Sequence, residues 1–103
     1  MSYIIQRTDK ANDQLMEIIR YIVADIGSTD VALSYLDKIE HTVINLANQP
    51  NMGSYPRYSI LKRQGYRVLI VGTHLFFYKV DEAAKIVTIH AIVDGRQEYL
   101  NLI

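Results

Sequence analysis

The chain has 103 residues, half of them hydrophobic and 21% charged, and its eleven basic residues balance eleven acidic ones. That length leads to the expectation of one domain over residues 1–103, and the composition suits a packed core rather than a disordered chain. The absence of cysteine excludes disulfide scaffolds, thiolate metal sites and cysteine nucleophiles; the opening MSYIIQRTDK lacks the pattern of a signal peptide, and no apolar run nears the ~18 residues of a membrane span, so a cytoplasmic protein without membrane contact is expected.

Taken in order, residues 3–7 (YIIQR) are short and apolar and predict a strand. Thr8 or Asp9 can cap the helix that follows, because a side-chain oxygen there accepts one of the free N–H groups of the first turn. Leu15, Ile18, Ile19, Ile22 and Ile26 recur at helical spacing, and Gly27 suits the stop. Ser28, Thr29 and Asp30 offer caps for a second helix, whose stripe is Ala32, Leu36, Ile39, Val43, Leu46 and Ala47. The gap between the two is short enough for an antiparallel hairpin. Pro50, Gly53 and Pro56 then break regular structure. A loop is expected there, leading into strand pairing from Tyr58 to Lys62. Three strands follow, Tyr66–Val71, His74–Val80 and Ile86–Val93, separated by short turns that predict an antiparallel meander. Residues 96–103 suit a short closing helix or a strand-like tail.

The order β-α-α-β-β-β predicts an α+β fold: an N-terminal strand and a two-helix hairpin packed on a curved, mainly antiparallel sheet. Strand alternation gives Val87, Ile89, Ala91 and Val93 one apolar face, which is expected to meet the helices. Arg67 alternates with apolar neighbours. A lone buried guanidinium costs several kcal/mol, so Arg67 is expected on the open side of the sheet.

The charges are unevenly spread. Residues 1–50 hold four basic and seven acidic residues, and residues 51–103 hold seven basic and four acidic ones. From Arg57 to Lys79 there are five basic residues and no acidic one. Phosphate-cradling loops, zinc-protease motifs and nucleophile elbows are missing, and His41, His74 and His90 lack metal-ligand spacing. What remains is an arginine–tyrosine set in the second half. Guanidinium groups bind phosphate through paired hydrogen bonds and tyrosine rings stack on bases, so the set suits RNA or phosphate. The competing reading is structural, with Arg67 paired to Glu98 or Asp94 and the tyrosines covering the sheet.

The stretches "GYRVLIV" and "FFYKVDE…KIVTIHAIVDGRQEY", with the strand and helical hairpin before them, resemble the RelE/ParE superfamily of toxins from bacterial type II toxin–antitoxin modules. The resemblance implies a growth-inhibiting toxin with a cognate antitoxin as partner. RelE-like members are metal-independent endoribonucleases that cut mRNA on the ribosome. For that branch, the resemblance assigns Arg67, Arg96 and Tyr99 as catalytic, while Arg57, Lys62 and Arg63 supply RNA contacts. No cofactor is implied. Two features depart from the ribonucleases. The positions of their paired lysines hold Tyr58 and Ile60, and the chain is neutral where they are strongly basic. The alternatives are a ParE-like DNA gyrase inhibitor without catalysis, or a family member without toxicity.

Overall fold

The computed structural model describes residues 2–103. Its elements run β1 (Ile4–Arg7), α1 (Asp9–Ile26), α2 (Thr29–Val43), a 3₁₀ turn (Ile44–Ala47), α3 (Ser59–Arg63), β2 (Arg67–Val71), β3 (His74–Asp81), β4 (Ile86–Asp94) and a closing 3₁₀ turn (Leu100–Leu102). The fold is α+β, as expected. Among the described residues, no helix is long and apolar enough to cross a membrane.

The helical hairpin forms where local chemistry directs it. Thr8 caps α1, its hydroxyl accepting from Ala11 N–H, and Ser28 caps α2 by accepting from Val31 N–H. Gly27 stops α1 at φ 74°, a left-handed conformation in which its N–H reaches Val23 C=O. Ala11, Leu15, Ala32, Ile39, Val43 and Leu46 are buried, so the predicted stripes face the core. Ile26 is the exception. It lies near the hairpin tip and is exposed, together with Tyr21, Val23, Val31 and Leu33.

The sheet order is β1-β4-β3-β2. β2, β3 and β4 form the antiparallel meander, while β1 lies parallel to β4 with Ile4 opposite Ile86 and Arg7 opposite Ile89. Both surfaces of the sheet are covered. On one, α1 and α2 bury Leu69, Val71, Phe76, Tyr78, Val87, Ile89 and Ile92. On the other, α3 and the C-terminal tail cover Val68, Phe77, Ala91 and Val93, with Leu61 and Tyr99 as the lids.

Two expectations need correction. Residues 58–62 do not pair as a strand. Tyr58 C=O accepts from both Leu61 N–H and Lys62 N–H, turning the segment into α3, and Leu61 is buried beneath it. The bridge to β2 comes earlier instead, between Ser54 and Val68. The second correction concerns β4. Phe77 opposes Ala91 but Tyr78 opposes Ile89, which leaves His90 as an extra, unpaired residue. Such a bulge reverses the alternation beyond it. Val87 and Ile89 therefore face the helices, while Ala91 and Val93 face α3 and the tail, and Ile92 takes the helix side. β1 ends at Arg7 opposite Ile89, and β4 groups beyond it are met by the start of α1: Thr8 Oγ1 donates to His90 C=O at 3.2 Å, and Gln14 Oε1 accepts from Ile92 N–H at 2.7 Å.

Candidate functional site

The arginine–tyrosine set divides among three places. At the first, β2 begins. Leu69 and Val71 belong to the helix-facing core, so strand alternation puts Arg67 on that face too, not on the open side. The guanidinium avoids burial because Arg67 is the first residue of the strand. Its Nη1 donates to Gly53 C=O at 2.9 Å, and its Cζ lies 4.8 Å from the centre of the Tyr55 ring. Beside it, the hydroxyl of fully buried Tyr78 donates to Pro50 C=O at 2.8 Å and accepts from Gly53 N–H at 3.0 Å. Burial raises the Tyr78 hydroxyl above the ordinary tyrosine range, and the Gly53 N–H and Arg67 charge partly offset this. Gly53 is required there: a Cβ would come within 2.6 Å of both Tyr78 Oη and Val68 O. Arg67 and Tyr78 thus clamp the loop of residues 50–55.

The second place is the open surface. Tyr99 is only 3% exposed, wedged between Tyr58 and Phe77 at ring-centre distances of 5.6 Å and 5.4 Å. Arg57 Nη2 donates to Tyr58 Oη at 2.8 Å, and Tyr58 in turn donates to Glu98 at 2.9 Å. That hydrogen bond lowers the Glu98 carboxyl. Lys62 Nζ lies 4.4 Å from the centre of the Tyr55 ring, and Lys79 Nζ lies 4.5 Å from that of Tyr66. Arg63 points back to Ser59 along its own helix.

The third place is the far end of the sheet. Arg96 grips Asp94 with two side-chain hydrogen bonds, Nη2 to Oδ2 at 2.8 Å and Nε to Oδ1 at 3.1 Å. These hold the Asp94 carboxyl down at about 2. Next to it, His74 Nδ1 and Tyr35 Oη are 2.6 Å apart, and Tyr35 also donates to Val71 C=O. Burial lowers the His74 imidazole and raises the Tyr35 hydroxyl. A groove of about 610 Å³ opens here between α1 and the end of β4, with Ile18, Tyr21, Ile22, Ile92 and Leu102 among its walls.

Arg67 and Arg96 are not brought together. β4 runs in the same direction as β2, and Asp94 pairs with His74, which pairs with Val71. Arg96 therefore follows the end of β2 that lies opposite Arg67, about 13 Å away along the strand alone at ~3.3 Å per residue. The expected partners also differ: Asp94 goes to Arg96 and Glu98 to Tyr58, so neither balances Arg67. The sequence reading missed Gly53, Tyr78 and Tyr55 as a unit. Their contacts span 25 residues of chain and follow from no local pattern.

Comparison with known proteins adds to this geometry. A family model described as "ParE toxin of type II toxin-antitoxin system, parDE" matches residues 5–99. A solved structure titled as the chromosomal ParDE TA system from P. aeruginosa is similar at TM-score 0.73 and 23% identity, covering 90% of this chain and 96% of that one. The toxin–antitoxin complex RelBE2 from Mycobacterium tuberculosis is similar at TM-score 0.61 and 19% identity, covering 91% and 99%. Both likenesses are of fold. No curated protein matches the sequence.

Proposed function

The chain belongs to the ParE toxin family of type II toxin–antitoxin systems, and on that premise we propose that it inhibits growth as a binding protein, without cleaving RNA, and that DNA gyrase is its target. One observation carries this reading: the three residues assigned to phosphate chemistry do not converge. Ribonuclease chemistry needs cations and a proton donor within hydrogen-bond reach of one phosphate. Arg67 is engaged with Gly53, Arg96 with Asp94 at the other end of β2, and Tyr99 is buried under Arg57 and Tyr58. Each has a structural task that accounts for it. The departures at Tyr58 and Ile60 favour the same reading, since no pair of lysines stands there.

The cognate antitoxin is assigned to the groove along α1. Its apolar walls and mixed polar rim, with Glu17, Asp94 and Arg96, suit an amphipathic segment laid against the helix. Two relatives of this fold were solved as toxin–antitoxin assemblies, which supports such a partner.

The purified chain is tested on two substrates side by side. Gyrase supercoiling of a relaxed plasmid is expected to fail in its presence, while mRNA on translating ribosomes stays intact. Ribosome-dependent cuts with normal supercoiling would refute the gyrase assignment.

A further inference from the structure

The groove beside α1 has a polar end whose chemistry is set by the residues behind it. Tyr35 Oη carries a single proton, and it lies 2.8 Å from Val71 C=O and 2.6 Å from His74 Nδ1. A carbonyl oxygen can only accept, so the hydroxyl proton goes to Val71 and the imidazole must supply the proton of the other contact. Neutral His74 therefore holds its proton on Nδ1, and Nε2 is left as a bare acceptor. Among the described residues nothing hydrogen-bonds to Nε2, and no side-chain nitrogen or oxygen is both sealed from solvent and without a partner, so Nε2 reaches water. His74 is half-buried and lines the groove, which is where this atom is open.

We infer that His74 Nε2 selects the occupant of the groove: an apolar antitoxin segment that brings a lysine or arginine to this point as hydrogen-bond donor. This rests on the antitoxin lying in the groove and is independent of the gyrase reading. Ile18, Ile22, Ile92 and Leu102 receive the apolar side chains. A carboxylate of the partner would meet the lone pair of Nε2 and be repelled. Asp94 and Arg96 neutralise each other at the rim, and the hairpin behind it carries seven acidic and three basic residues from Asp9 to Glu40. That net negative charge selects a cationic donor over a neutral one. Acid then opposes binding, because a protonated His74 turns Nε2 into a donor and sets a cation against the partner's. The groups facing the ring are Tyr35 from α2, Glu17 and Tyr21 from α1, Asp94 from β4 and Arg96 from the tail. Burial lowers the His74 imidazole, Arg96 adds to this and Asp94 opposes it. Binding favours the neutral ring, so affinity is full above the His74 pKa and falls below it, by up to about tenfold per pH unit. Asp94 stays ionised throughout, its carboxyl standing at about 2.

Calorimetric affinity of the full chain for its purified cognate antitoxin, from about pH 7.5 down to about pH 5, tests the site. His74→Asn keeps a donor near the place of Nδ1 and deletes the groove acceptor. It should bind about tenfold more weakly at neutral pH and lose the acid response. His74→Gln puts an acceptor near the place of Nε2 that does not titrate; it should bind close to the wild type at neutral pH and stay flat in acid. Imidazole nitrogen NMR reads the free chain by itself, and the proton of neutral His74 should be found on Nδ1. A proton found on Nε2 instead would overturn the inference. So would a His74→Asn variant with wild-type affinity, or an acid response that persists in His74→Gln. Ile22→Asp separates this inference from the groove assignment. If it leaves antitoxin affinity unchanged, the segment sits elsewhere and both fall. If it abolishes binding while both His74 variants behave as the wild type, only the role of His74 falls. A chain that dimerises through the groove, with the dimer lost in Ile22→Asp, overturns both.

Discussion

Tyr78 shows how much one hydroxyl can organise. It is fully buried, and its two hydrogen bonds hold the backbone of Pro50 and Gly53. Tyr78→Phe keeps the ring and leaves an N–H and a C=O without their partner. The expected cost is about 1–3 kcal/mol, read as a lower urea midpoint at unchanged slope. Asp94 gives a second prediction. Its carboxyl stands at about 2 in the folded chain instead of 3.8, first because Arg96 donates side-chain and backbone hydrogen bonds to it. A folded value below the unfolded one means that the stabilisation is present above about pH 4. It is lost as pH falls toward 2. Arg96→Ala should bring the Asp94 titration, followed by carboxyl NMR, back toward its ordinary value and remove that acid-sensitive part. Arg96 is exposed and Asp94 only partly so, and solvent around the guanidinium screens the pair, so its contribution to stability at neutral pH is small.

At the scale of elements, the junction of β1 and α1 does two jobs. Thr8 caps α1 and also donates to His90 C=O in the bulge of β4. Thr8→Ala should therefore cost about 1–2 kcal/mol, the upper part of the range for a helix cap, and Thr8→Ser should recover most of it. Calorimetric unfolding of the two variants compares them directly. The bulge itself was not legible in the sequence. "IVTIHAIV" reads as even alternation, and a single unpaired residue, His90, transfers Ala91 and Val93 to the other core. α3 departs from its local pattern for a related reason. Tyr58-Ser-Ile-Leu-Lys contains strand-favouring residues, but burial of Leu61 against Val68, Phe77 and Tyr99 rewards a helical turn.

The whole molecule is a sheet enclosed between an acidic helical hairpin and a basic, tyrosine-rich surface. β3 and β4 lie at its centre and have apolar groups packed on both faces. The distal half of the hairpin is different: α1 buries only Ala11 and Leu15 of its 18 residues, and both lie in its first half. Native-state hydrogen exchange should find the slowest amides in β3 and β4 and much faster ones around the hairpin tip. Amides of β4 that exchange as fast as those of the tip would contradict this layout. Antitoxin seated in the adjoining groove should slow exchange most there and at the same exposed tip.

Much of this protein could be read from its sequence, because much of it is decided over a few residues. Helix caps at Thr8 and Ser28, the stop at Gly27, the apolar stripes and the two-residue turn at Gly72-Thr73 depend on neighbours one to four positions away. The α+β class follows from their order. What only the tertiary structure decided depends on pairings across the chain: β1 parallel to β4, the helix-facing side of Arg67, and the separation of Arg67 from Arg96. In a meander, the first and third strands run the same way, so the start of one and the end of the other lie at opposite ends of the sheet. Tyr55 meets Lys62 and Arg67, seven and twelve residues further along, only once the chain is folded. No periodicity encodes that meeting, because α3 and the strand pairing create it.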